Sequence, residues 1–122
     1  MEWNRNAAVD HAKGHANARS LGRCAEYTRE AISAGGVEIG HTNSAKDYGI
    51  LLENAGFRAI GIGENLLTGD VVIIQPYPGG NRNGHMAIFD GTTWYSDFRQ
   101  RDMWAGPGYR SAHPSYVIYR KN

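Results

Sequence analysis

The apolar positions of this chain change period near its middle, which divides it into a helical first half and an extended second half. Along residues 6–18, Ala7, Ala8, Ala12, Ala16 and Ala18 supply small helix formers behind a cap at Asn4 or Asn6, with Gly14 as a weak point. A second helix opens at Cys24 after the loop Ser20-Leu21-Gly22 and meets no Gly or Pro until Gly35-Gly36, where it stops. Val37-Glu38-Ile39-Gly40-His41 then makes a short extended or irregular crossing. Ser44 and Asp47 have the spacing of a capping box, with Asp in place of Glu, and lead a third helix. Its stripe of Tyr48, Leu51, Leu52 and Ala55 faces a core, and Gly56 ends it.

Residues 57–67 form a glycine-punctuated connection. Gly61-Ile62-Gly63 lacks the further glycines, Lys and Ser/Thr of a phosphate loop and reads as turns. Beyond the turn Thr68-Gly69-Asp70 the pattern becomes that of strands. Val71-Val72-Ile73-Ile74-Gln75 is a β-branched core strand, and a loop at 76–84 leads to His85-Met86-Ala87-Ile88-Phe89. Asp90-Gly91 turns the chain into a partner strand at 92–98, and Tyr116-Val117-Ile118-Tyr119 closes the sheet. Helices followed by strands give an α+β fold over a single domain, residues 1–122. Its N-terminal helices pack on a small antiparallel sheet, mainly on one face.

Charge narrows the partners. Thirteen Lys and Arg against twelve Asp and Glu leave +1, without a basic run, which argues against nucleic acid or an anionic membrane surface as partner. No stretch approaches the ~18 consecutive apolar residues of a spanning helix. The amino terminus, Met1-Glu2-Trp3-Asn4-Arg5-Asn6, lacks the apolar core of a secretory signal, so the protein is expected to be made in the cytoplasm and either to work there or to be moved by something other than a signal peptide. A single cysteine excludes an intrachain disulfide.

That cysteine is the first candidate for chemistry. In the first turn of a helix, Cys24 faces unpaired backbone N–H groups and the positive end of the helix dipole, both of which favour thiolate. The plainer reading is a buried, inert thiol. His11 and His15 share a helical face at the spacing of zinc hydrolases, but the residues between them, Ala12-Lys13-Gly14, include no general-base Glu, so a pair of solvated side chains is the simpler reading. His85 opens one hairpin strand and Asp97 stands near the end of its partner. A three-residue connection sets His85 opposite Asp97, whereas a two-residue Asp-Gly turn sets it opposite Ser96. Both registers stay open. A cysteine nucleophile at a helix start, a histidine base on a strand and a third side chain orienting that histidine are the parts of a cysteine amidase.

Taken in order, Ser20-Leu21-Gly22-Arg23-Cys24-Ala25-Glu26-Tyr27, Gly69-Asp70, Gly84-His85-Met86-Ala87-Ile88 and Tyr95-Ser96-Asp97-Phe98 resemble the Cys, Gly-Asp, Gly-His and Ser-acid blocks of CHAP and NlpC-type peptidoglycan amidohydrolases. The resemblance spans residues 8–119. It implies a papain-like fold and cleavage of an amide bond in the peptide stems or cross-links of peptidoglycan. By position it makes Cys24 the nucleophile, His85 the general base and Asp97 the orienting third residue, with no metal or other cofactor. In CHAP domains that third residue is commonly Glu or Asn, so Ser96 remains an alternative to Asp97. Small size, with neither signal peptide nor wall-binding domain, is similar to the amidase effectors injected by type VI secretion. That likeness implies an antibacterial toxin delivered to the periplasm of a target bacterium, and a cognate immunity protein that occludes the Cys24 cleft. Two other classes compete with it: a metal-dependent hydrolase using His11 and His15 with His85 or Cys24, and a non-catalytic binding module.

Overall fold

The computed structural model describes residues 3–61 and 63–122. Helix α1, Arg5–His15, is capped by Asn4, whose side chain accepts the Ala7 N–H at 2.9 Å. It ends short of the expected Ala18 because Asn17 leaves the helix to pair elsewhere: its backbone N–H and its Nδ2 both donate to the Asp97 carbonyl, at 2.9 and 2.8 Å. Helix α2, Cys24–Ala34, has the bounds its sequence predicts, and the Gly35 N–H closes its last turn on the carbonyls of Ala31 and Ile32. Small buried residues, Ala8 and Ala12 on α1 and Ala31 on α2, belong to the core between these helices.

The third helix is broken. A 3₁₀ turn, Ala45–Asp47, precedes α3, Gly49–Asn54, and buried Tyr48 sits at the joint. Ser44 makes no cap, because a partner distant in sequence takes its hydroxyl: Ser44 Oγ bonds Asn83 Oδ1 at 2.8 Å, and Lys46 N–H donates to the Asn83 carbonyl at 2.8 Å.

Five antiparallel strands lie in the order β1-β5-β2-β3-β4: β1 Arg58–Ala59, β2 Val71–Ile74, β3 His85–Phe89, β4 Trp94–Tyr95 and β5 Tyr116–Arg120. Strand β1 falls in what the sequence presents as connection; of Gly61-Ile62-Gly63, Ile62 lies outside the described residues. Alternation divides the sheet's side chains. Val71, Ile73, Met86 and Ile88 join the helical core with Ile32 and Leu52, while Val72, Ile74, Ala87 and Phe89 form a second cluster with Trp94 and Tyr109. The second cluster is covered by a short helix the periodicity does not announce, α4, Pro107–Ala112, with Pro at its first position. Both faces of the sheet are therefore buried at β2, β3 and β4, while β1 and Val117 of β5 stay exposed.

The hairpin adopts neither expected register. Phe89 opposes Trp94 and Ile88 opposes Tyr95, across a four-residue connection. Asp90 sets that length: its Oδ1 accepts the N–H groups of Thr92 and Thr93 at 2.8 and 2.6 Å, and its own N–H donates to the Thr93 carbonyl at 3.0 Å. The expected long return strand shrinks to Trp94–Tyr95, because Ser96 N–H closes on the Phe98 carbonyl at 3.1 Å and turns the chain back. Arg99 then bridges Tyr95, and Gln100 N–H bonds the Trp94 carbonyl at 2.9 Å.

Gly69-Asp70 is a structural clasp. Fully buried Asp70 takes a fork from Arg120, with Nε donating to Oδ1 at 2.9 Å and Nη2 to Oδ2 at 2.8 Å, and accepts Leu67 N–H at 2.9 Å. The end of β5 is thereby locked to the start of β2. Among the described residues no helix is long and apolar enough to cross a membrane.

Candidate active site

A groove of about 420 Å³ opens where the first turn of α2, the start of β3 and the α4 segment converge, and Cys24, His85 and Tyr109 all line it. Thr28, one turn along α2 and fully buried, ties α2 to β3: its hydroxyl bonds the Cys24 carbonyl at 2.8 Å and the Met86 carbonyl at 3.3 Å. A residue of α2 thus holds both the carbonyl of Cys24 and that of the neighbour of His85. On the β3 side the chain enters through Gly84 at φ 71°, where an added Cβ would overlap the Ile74 carbonyl oxygen. Only glycine permits that approach, which fixes where His85 begins its strand.

The imidazole of His85 is 5% exposed, and its Nε2 lies 2.6 Å from Gln100 Oε1. The Gln100 amide nitrogen is already committed, to the carbonyls of Asp102 at 2.9 Å and Met103 at 3.2 Å. Its oxygen must therefore face His85 as an acceptor, so Nε2 carries the ring proton and Nδ1 is left as the basic nitrogen. Gln100 is the orienting partner that the sequence did not reveal. No spacing motif marks it; the signal is the turn at 96–98, visible only once the chain is folded.

Asp97 stands elsewhere in the network. Its buried carboxylate accepts Leu21 N–H at 2.7 Å, Arg23 N–H at 2.9 Å and the Ser20 hydroxyl at 3.3 Å. These are the residues that lead into Cys24. Asp97 thus anchors the loop before the nucleophile candidate, while Ser96 Oγ bonds Asp97 Oδ1 at 3.4 Å. The hydrogen bond to His85 expected of Asp97 or Ser96 is made instead by Gln100, because the four-residue connection shifts the strand and the turn at 96–98 redirects these side chains.

Burial dominates the electrostatics. It pushes the Cys24 thiol up to about 11, against backbone N–H groups of Met86, Ala25 and Cys24 that favour thiolate; the charge of Asp97 adds to the rise. Burial likewise lowers His85 from its ordinary 6.5, opposed by the Gln100 hydrogen bond and the Asp97 charge. The resting pair is accordingly thiol and neutral imidazole. The thiolate expected from the helix start alone is outweighed by desolvation.

The histidine pair on α1 does not line the groove. The rings of His11 and His15 stack with centroids 3.9 Å apart, and His15 Nδ1 contacts the His11 carbonyl at 2.9 Å. Among the described residues no three His, Cys, Asp or Glu side chains converge as a ligand set.

No family model and no curated protein matches the chain. Among solved structures, the type VI effector–immunity complex Tae3-Tai3 from Ralstonia pickettii matches with a TM-score of 0.91 and 46% identity, over 98% of this chain and 100% of that one. The selenomethionine form of that complex matches at 0.87 and 47% identity, over 93% and 98%. Ly7917 is similar in fold alone, at 0.58 and 16% identity, over 93% of this chain and 61% of that one. With 46% identity along the whole matched chain, this protein belongs to the Tae3 family of type VI effectors.

Proposed function

We propose that the protein is a cysteine amidase of papain-like type that hydrolyses an amide bond in the peptide stems or cross-links of peptidoglycan. Residues 1–122 form its single catalytic domain, and Cys24 is its nucleophile. The observation that carries this reading is one groove holding a cysteine at a helix start and a histidine whose outer nitrogen is fixed by a side-chain amide. Kinship with an effector held by an immunity protein adds the biological setting: an antibacterial toxin that acts in the periplasm of a target cell, and a cognate inhibitor that covers the groove.

The chemistry follows from the neutral resting pair. As Cys24 Sγ bonds to the substrate carbonyl carbon, its proton passes to His85 Nδ1 and the carbonyl π electrons move to oxygen. The Cys24 N–H, at the first turn of α2, donates to that oxyanion. Collapse breaks the C–N bond, and the imidazolium gives its proton to the departing amine. Water, deprotonated by His85, then cleaves the thioester and restores the thiol. Gln100 keeps the ring tautomer constant throughout, and Asp97 keeps the loop before Cys24 in place.

Cys24→Ala is expected to abolish amine release from purified sacculi, a loss of several orders of magnitude, with the far-ultraviolet circular dichroism unchanged. Undiminished hydrolysis by that variant would overturn the proposal.

A further inference from the structure

The groove contains a buried polar group that the steps above leave idle. Tyr109 is 7% exposed, yet among the described residues its hydroxyl has no hydrogen-bond partner. Buried hydroxyls are nearly always paired, since an unmade bond forfeits the whole desolvation cost. An orphan at the wall of a groove therefore points to a partner that arrives with the substrate.

The surroundings hold this ring in place. Tyr109 meets Tyr77 edge to face with centroids 4.8 Å apart and lies 5.9 Å from the His85 ring. Tyr77 is clasped between Gly80 and Gly108, at each of which a Cβ would overlap the Tyr77 ring or hydroxyl. Pro107 starts the helix that carries Tyr109, and the His113 N–H closes it on the Tyr109 carbonyl at 2.9 Å. Burial first, then the charges of Cys24 and Tyr77, push the hydroxyl up to about 12, so it remains a proton donor at any working pH.

We propose that the Tyr109 hydroxyl is a catalytic residue: it donates a hydrogen bond to the oxyanion formed when Cys24 attacks the amide carbonyl, beside the Cys24 backbone N–H. The inference rests on the cysteine amidase reading. No proton changes hands at Tyr109; the S–C bond forms, the carbonyl pair moves to oxygen, the thiol proton goes to His85, and the phenol only shares its hydrogen with the oxyanion. A donor aimed at charge that appears only in the transition state stabilises that state and not the bound substrate.

Tyr109→Phe removes one oxygen and keeps the ring. On soluble muropeptides prepared from digested sacculi, kcat is expected to fall about 100-fold while KM stays within about twofold. Alkylation of Cys24 by iodoacetamide, which forms no oxyanion, should proceed at the wild-type rate. The Tm should not fall, because no internal hydrogen bond is lost. Wild-type kcat, a loss confined to KM, an altered alkylation rate or a lowered Tm would each overturn the inference. Cys24→Ala run in parallel separates the two claims: an inactive Cys24→Ala beside a fully active Tyr109→Phe sinks this inference alone, whereas an active Cys24→Ala sinks the amidase reading itself.

Discussion

At the scale of single residues, desolvation decides the protonation state of the site. Burial pushes the Cys24 thiol up to about 11 and lowers the His85 imidazole from 6.5, both of which favour the uncharged pair near neutral pH. Alkylation of Cys24 by iodoacetamide in the free protein is therefore expected to rise about tenfold per unit between about pH 7 and about pH 9. A rate that is flat from about pH 5 to about pH 8 would instead reveal a preformed thiolate–imidazolium pair. The same shift has a sign for stability. His85 binds its proton more readily unfolded than folded, so the fold is favoured above 6.5 and loses that contribution as pH falls through the lowered value.

At the scale of elements, two residues three positions apart serve different masters. Asp97 grips the loop before α2 through the N–H groups of Leu21 and Arg23, whereas Gln100, after the turn, reaches His85 on β3. Truncating each should separate structure from catalysis. Asp97→Ala leaves buried donors unpaired and is expected to lower stability by about 2–3 kcal/mol, measured by thermal unfolding. Gln100→Ala frees the ring to rotate and change tautomer; kcat should drop about 10- to 100-fold with KM within about twofold. An Asp97→Ala protein that unfolds at the wild-type temperature would show that its carboxylate does not anchor the loop.

At the scale of the whole molecule, the two halves of the chain are joined by a few polar clasps as well as by the core. The buried fork between Asp70 and Arg120 ties the start of β2 to the last strand, and Arg120 Nη2 also holds the Asn65 carbonyl at 2.7 Å. Asp70→Asn keeps the shape but removes the buried carboxylate of the fork, leaving Arg120 only the half-exposed Glu64, 3.9 Å from Nη1, which is expected to cost about 3–5 kcal/mol. Tm should fall by roughly 10–20 °C. Because neither residue lines the groove, kcat measured well below the new Tm should match wild type.

Local chemistry was enough to specify α2 and its first-turn cysteine, the apolar runs of β2 and β3, and His85 at the strand start, because periodicity, a glycine stop and β-branching act between near neighbours. Tertiary structure alone decided the rest. Asn83 drew Ser44 away from its cap, Asp90 lengthened the hairpin connection, and a turn at 96–98 sent Asp97 to the loop before Cys24 and Gln100 to His85. Each of these outcomes turns on which polar group finds which partner, and a lone polar residue leaves no period in the sequence from which its partner could be read.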